Sequence, residues 1–440
     1  MIDYEPPTAI PRGLLDDSEL RAALEAHDFG TVFRLARSRA GISYSKIAAE
    51  CDIKPERVGT LARGRGRVTS FDKIVLIVDA LRVPGHMVGL APRPWEEDET
   101  PAPITGTQNG TTVRRRTFFE ATTRTGLAAA LPSLTKQDAP KRLNAANVEA
   151  LRERTARLRR LDNVLGGGDT YRVYLGEYQA TKALLRDTIC SEGTRRSLMS
   201  VLAEQAQQAG WAAFDAGREA DAAGLYKESH VAAREAGDAS LVGNSLAFLA
   251  YQASADDKVA AVQIASRSCE TITSGTPWGV RALLYERKAW ACSVAGMHTE
   301  TEKALAAAHD ALEGASDGEH QPDWVAWVDH TELAIMSGRC WTELRRPLRA
   351  VPVLEDALAR YDDAHARDKA LYLSWLADAY LTAGEVEQAA TVAARALELS
   401  SGVASIRPRR RLAPVLEKLS QHRGMTVVSD VLDRARVQAG

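Results

Sequence analysis

At 440 residues, 45% of them apolar, the chain has a globular composition but is too long for one compact core, so it calls for two or more domains or a domain and a repeat array. Its five cysteines are scattered, odd in number and without a Cys-x-x-Cys pair, which fits reduced buried thiols in the cytoplasm and excludes a disulfide scaffold. The total charge is only −2, no apolar run approaches the roughly 18 residues of a membrane span, and the acidic, proline-rich start does not read as a secretion signal.

Residues 1–27 read as an N-terminal extension ahead of the first strong helical pattern, FGTVFRLARSRAG from Phe29. The next stretch, SYSKIAAECDIKPERVGTLARG from Ser43 to Gly64, parses as two short helices with a tight turn between them. Its apolar positions Ile47, Ala48, Ile53, Val58 and Leu61 are spaced so that one helix packs across the other, with Ala48 small at the crossing. Asp52 stands in the turn, where Asp tolerates a left-handed backbone better than most residues. Pro55 suits the first position of the second helix because its missing N–H has no intrahelical partner there, whereas Lys54 is a weak cap. A basic loop, RGRGRVTS, follows. FDKIVLIVDALRVP then reads as a fourth helix, capped by Ser70 and with Ile74, Ile77, Val78 and Leu81 facing inward.

The polar side of the second helix is left facing outward, the helix-turn-helix arrangement that presents a helix start to base edges in the major groove. Between Gly30 and Ser70 nine Lys or Arg oppose three acids, a local net of +6. A positive face of this kind releases condensed counterions when it meets phosphates. Lys54, Glu56, Arg57 and Thr60 are the candidate base readers, and Ser45, Lys46, Arg63, Arg65 and Arg67 the candidate phosphate contacts. Residues from about Asp28 to Pro84 resemble the DNA-binding domain of lambda-repressor-like, or xenobiotic-response-element, bacterial regulators. The match departs from that pattern at Tyr44, where Gln is usual, at Asp52 in place of Gly, and at Ala62 in place of Glu. The resemblance implies double-stranded DNA as the partner of residues 28–90, bound by a homodimer that reads half-sites about one helical turn apart.

From Ala91 the sequence APRPWEEDETPAPITGTQNGTT has no helical or strand period and opens a linker over 91–140. Its basic segment, RRRTFFEATTRTGLAAAL from Arg114, imitates a twin-arginine export signal, but lies too far inside the chain to act as one. Residues 141–190 read as connecting helices. Over 191–405 helix pairs recur, and small residues align at Ala222, Ala261, Thr301, Ala350 and Ala389, with spacings of 39, 40, 49 and 39 residues. These aligned residues read as lying near the middle of each second helix, and Gly210, Ala222 and Tyr226, and again Tyr380, Ala389 and Ala396, hold the small and aromatic positions of the tetratricopeptide pattern. Residues 406–440 close the array as capping helices. The expected fold is therefore all-α, a helix-turn-helix domain joined by a linker to a solenoid with a concave binding face.

In that geometry the first helix of each pair lines the inner surface, which brings Glu204, Gln207, Trp211, Glu286, Trp290, Arg339 and Asp378 toward a candidate effector site. Catalytic signatures are wanting. The G-x-S-x-G match at Gly314–Gly318 follows a helix where a nucleophile elbow needs a strand, and Gly166 to Gly168 lack a phosphate-loop or dinucleotide context and read as a flexible joint. The nine histidines show no metal-ligand spacing, so neither an enzyme nor a cofactor is expected. The whole order of parts, including the motif ARLRRLDNVLGGGDTY, resembles a large group of actinobacterial transcriptional regulators. It is also similar in architecture to the peptide-sensing regulators of Gram-positive quorum sensing. That resemblance implies a cytoplasmic, ligand-responsive regulator that binds a small molecule or peptide. Two alternatives stand beside it: repeats that bind only proteins, and a repeat scaffold that has lost DNA binding, for which Tyr44 is the best argument.

Overall fold

The computed structural model describes residues 6–51, 53–68, 71–88, 90, 93, 95–96, 142–162, 167–314, 319–401 and 405–439. The described residues hold helices and no strand, with one isolated bridge between Arg142 and Ile189. The chain divides into two compact units, Met1–Pro140 and Lys141–Gly440. Asp52, Ser70, the segment from Arg114 to Leu131, Gly166, and 315–318 of the G-x-S-x-G match lie outside the described residues.

The first unit holds α1 Arg12–Leu15, α2 Ser18–Glu25, α3 Phe29–Ala40, α4 Tyr44–Glu50, α5 Pro55–Ala62 and α6 Phe71–Leu81, then a short 3-10 turn, Gly85–Val88. Local chemistry sets the starts. Asp28 accepts from Thr31 N at α3, Ser43 from Lys46 N at α4, and Pro55 begins α5 after Lys54, whose side chain makes no capping bond. Gly41, at φ 68°, ends α3 in a left-handed turn. Phe29, Phe33, Ile47, Val58, Leu61, Ile74, Ile77, Val78 and Leu81 form the core. Residues before Asp28 belong to this unit and are not a mere extension. Leu20 and Leu24 are buried, Thr8 Oγ1 donates to Ala80 O at 2.6 Å, and Ile10 N donates to Leu81 O at 2.8 Å. The unit also outlasts Leu90. Arg93 makes a two-pronged pair with Asp79 at 2.8 Å, and Trp95 Nε1 donates to the same carboxylate at 3.1 Å.

In the second unit, α7 Ala145–Asp162 and α8 Gly167–Asp187 precede five helix pairs. These are α9 Glu192–Asp215 with α10 Glu219–Ala236, α11 Ala239–Ala253 with α12 Lys258–Cys269, and α13 Trp278–Val294 with α14 His298–Glu313. Next come α15 His330–Glu343 with α16 Pro347–Arg360, and α17 Ala366–Ala383 with α18 Val386–Ser400. Helices α19 Arg407–Ser420 and α20 Thr426–Ala439 close the row. Ala222, Ala261, Thr301, Ala350 and Ala389 are all fully buried, and each is the fourth residue of its helix, in the first turn rather than near the middle. Twelve residues ahead of four of them stand Gly210, Ala289, Gly338 and Ala377. A Cβ on Gly210 would lie 2.5 Å from Tyr226 Cε1, and one on Gly338 would lie 2.6 Å from Leu354 Cδ2, so small residues let the two helices of a pair close on each other.

The first helices α9, α11, α13, α15 and α17 touch in succession, and α17 touches α19. The row then returns to its beginning. Ile406 N donates to Asp215 O at 3.1 Å and Ser405 Oγ donates to Asp215 Oδ1 at 2.7 Å, joining the approach to α19 with the end of α9. The expected open concave face is therefore closed by a seam. Gly167 serves the same seam and is no flexible joint: it starts α8, its N–H donates to Asp215 Oδ2 at 2.7 Å, and a Cβ there would lie 2.7 Å from Asp215 Cβ.

Candidate functional site

In the first unit, polar residues of α4, of α5 and of the segments flanking α5 reach solvent. Ser45, Lys46, Lys54, Glu56, Arg57, Arg63 and Arg65 are exposed, and Thr60 and Arg67 are half-buried. The opposite sides of both helices are fixed in the core through Ile47, Ala48, Val58 and Leu61. Arg57 does not project freely. Its Nη2 donates to Arg67 O at 3.0 Å, and the guanidinium lies against Gly66, whose φ of 82° bends the basic loop toward α5. Thr60 Oγ1 donates to Glu56 O at 2.7 Å, which turns the hydroxyl inward. Tyr44 lies under the Arg37 guanidinium, 4.6 Å from its ring centre. Cys51 is buried beneath this surface, and burial pushes its thiol up to about 12.

The second unit holds a cavity of about 500 Å³ that opens to solvent. Of its lining, Trp211 continues into a run of packed rings that do not themselves line the cavity: Trp211 and Tyr251 are 5.9 Å apart, Tyr251 and Trp290 are 6.0 Å apart, and Trp375 meets Trp290 edge-on at 5.7 Å. Guanidiniums lie on these rings. Arg407 is 4.4 Å from Trp211, Arg339 is 4.6 Å from Trp290 and 4.2 Å from Trp375, and Arg287 is 5.0 Å from Tyr251. Arg339 and Arg407 also donate to the Tyr251 hydroxyl at 3.1 and 3.4 Å. Burial pushes the Tyr251 phenol up, but Arg339, Arg407 and Arg287 outweigh it and hold the group down at about 7.

Four of the seven expected effector residues line this cavity, namely Glu204, Gln207, Trp211 and Arg339. Glu204 is paired with Arg159 of the ARLRRLDN motif, and the Gln207 amide is spent on Ser229, Leu241 O and Asn244. The other three do not line it. Trp290 is packed between Tyr251, Trp375 and Arg339, Glu286 is buried with Arg287 3.7 Å away, and Asp378 is covered by Arg411 and Lys418 of α19 at 2.9 and 2.7 Å. Burial pushes the Glu286 carboxyl up, and only part of that is offset by Arg287 and Arg339. The sequence reading missed Tyr251, Arg287, Glu332, Tyr361, Tyr372 and Arg407. One signal for Arg407 was available: α19 opens on Arg407, Arg409, Arg410 and Arg411, cations at a helix start, where the dipole disfavours them. Such residues need a partner elsewhere.

Glu332 is the cavity's titrating carboxylate. It accepts from the hydroxyls of Tyr361 at 2.8 Å and Tyr372 at 2.9 Å, and faces Asp368 and Glu286 as well. Burial, then the Asp368 charge, raise it to about 7 against the pull of the two phenols. A carboxyl raised in the folded state contributes stability that is complete below its unfolded value and is lost as pH rises to about 7. Glu332→Gln should therefore gain on the order of 2 kcal/mol relative to the parent chain between about pH 5 and about pH 8, read from urea unfolding at the two pH values. A stability difference that stays constant across that range counts against the shift.

No protein-family model matches this chain, and no curated protein matches it.

Proposed function

We propose that this chain is a sequence-specific DNA-binding transcriptional regulator, with a lambda-repressor-like helix-turn-helix in the first unit and a tetratricopeptide-like sensing array in the second. The observation that carries the reading is the surface of α4 and α5. A short helix anchored by Val58 and Leu61 exposes Lys54, Glu56 and Arg57 at its start, beside the exposed Arg63 and Arg65 of the basic loop. A positively charged face fixed to a rigid core supports phosphate binding together with base reading. The chain acts as a homodimer on double-stranded DNA, in the cytoplasm. Among the described residues no helix is long and apolar enough to cross a membrane. An effector held in the cavity of the second unit controls DNA binding only if it prefers one arrangement of the dimer over another.

Genomic fragments retained by the full-length protein, followed by footprinting, give the operator on which the reading is tested. On that operator Arg57→Ala should cost about 1–3 kcal/mol and relax specificity at one base pair, after Arg57 leaves Arg67 O to reach a base. Lys46→Ala and Arg65→Ala should weaken binding to all sequences alike and reduce its salt dependence. If no fragment is retained at low salt, the protein is not a DNA-binding regulator. Equal losses for Arg57→Ala on operator and random DNA move Arg57 to the phosphate contacts.

A further inference from the structure

We propose that the cavity of the second unit takes an organic acid with a flat, largely apolar body, its carboxylate between Arg287, Arg339 and Arg407 and its body against Trp211 and Phe248. The assignment begins with the cavity's charges. Three of its carboxylates are already answered within the protein: Glu204 by Arg159, Asp368 by Arg367 at 3.1 Å, and Glu332 by two phenols. Three of its cations, Arg287, Arg339 and Arg407, are not so matched. Arg339 is only 3% exposed, and among the described residues its Nε has no hydrogen-bond partner while Nη2 donates to the Tyr251 hydroxyl. Arg407 has the same hydroxyl and, at 3.6 Å, a carboxylate shared with the seam, while Arg287 has Glu286 at 3.7 Å. Three guanidiniums thus converge on one phenol, which serves as a weak internal counter-anion.

Burying cations without matched anions is costly, and a carboxylate that replaces water among them gains charge-assisted, two-pronged hydrogen bonds. The body of such a ligand finds rings beside the same cations. Trp211 and Phe248 are 5.6 Å apart on the cavity wall, and Trp327, 39% exposed, stands at the rim, 5.6 Å from Arg287. A cavity of about 500 Å³ is of the size that encloses most of a small organic molecule. The inference rests on the second unit being the sensing half of the regulator, and it names what is sensed.

The test uses the full chain and 2-naphthoate, with 2-naphthamide as its uncharged counterpart and a tetrapeptide ending in Phe, with free or amidated terminus, as a second source of the same group. Naphthoate should bind roughly ten- to a hundred-fold more tightly than naphthamide by calorimetry and raise the melting temperature. Arg339→Gln should abolish that preference. Tyr251→Phe, which keeps the ring and removes the internal counter-anion, should tighten naphthoate, and it guards against a failure of Arg339→Gln to fold. A free-acid peptide stronger than naphthoate identifies a peptide terminus as the source, which supports the same assignment. Equal affinity for naphthoate and naphthamide, or no stabilisation by naphthoate at millimolar concentration, overturns it. Retention of DNA with no anion preference rejects only this inference, whereas anion binding through Arg339 without DNA binding rejects only the regulator.

Discussion

Replacing Asp215 by alanine should destabilise the second unit by about 3–5 kcal/mol, the largest loss expected from any single substitution in the chain. Asp215 has no exposed surface and holds three separate parts of the unit. It accepts from Gly167 N at 2.7 Å and from Ser405 Oγ at 2.7 Å, and its charge faces Arg407 at 3.6 Å and Arg367 at 4.0 Å. Truncation leaves a buried N–H and hydroxyl without acceptors and takes a balancing charge from two buried guanidiniums, so the loss exceeds that of one hydrogen bond. Asp215→Asn keeps an acceptor and should lose only part of this. Urea unfolding followed by tryptophan fluorescence measures the difference, and amide exchange at Ile406 reports the seam itself. A cost below about 1 kcal/mol for Asp215→Ala would mean that the seam contributes little to holding the row closed.

Gly30→Ala should be the most damaging small substitution in the first unit, at about 3 kcal/mol. In an ordinary helix this change gains stability, up to about 1 kcal/mol, because alanine is the better helix former. Here the added methyl would lie 2.9 Å from the Leu61 carbonyl carbon and closer still to its oxygen. Both sides of the contact are backbone, so no side-chain rotation relieves it, and α3 and α5 must separate. Since α5 carries Lys54, Glu56 and Arg57, the variant should lose operator affinity as well as thermal stability. Differential scanning calorimetry and a mobility shift on the same preparation check both. A neutral or stabilising effect would show that α3 and α5 have room to spare.

Local chemistry was readable from the residues themselves. Pro55 starts its helix because its missing N–H and preset φ suit the first helical position wherever the rest of the chain lies. The burial of Ile47, Val58 and Leu61 followed from spacing, and one small residue marked each of the five helix pairs, although it stands in the first turn of its helix and not near the middle. Periodicity reports which side of a helix is apolar. It does not report what lies opposite.

The position eleven residues before each aligned small residue makes the difference concrete, since it is Trp211, Ala250, Trp290, Arg339 and Asp378 in the five pairs. Repeat logic treats these as equivalent, yet Trp211 and Arg339 line the cavity while Trp290 is covered by Arg339 and Asp378 is sealed by α19. The sequence by itself determined that an array of helix pairs exists and which side of each pair is buried, because those are properties of contacts a few residues to a few tens of residues apart. The closed row, the seam at Asp215 and the convergence of Arg287, Arg339 and Arg407 on Tyr251 were decided only by the tertiary structure. Asp215 and Ser405 stand 190 residues apart, and whether they meet depends on a small rotation at each helix-pair junction, accumulated along the row and written in no single pair.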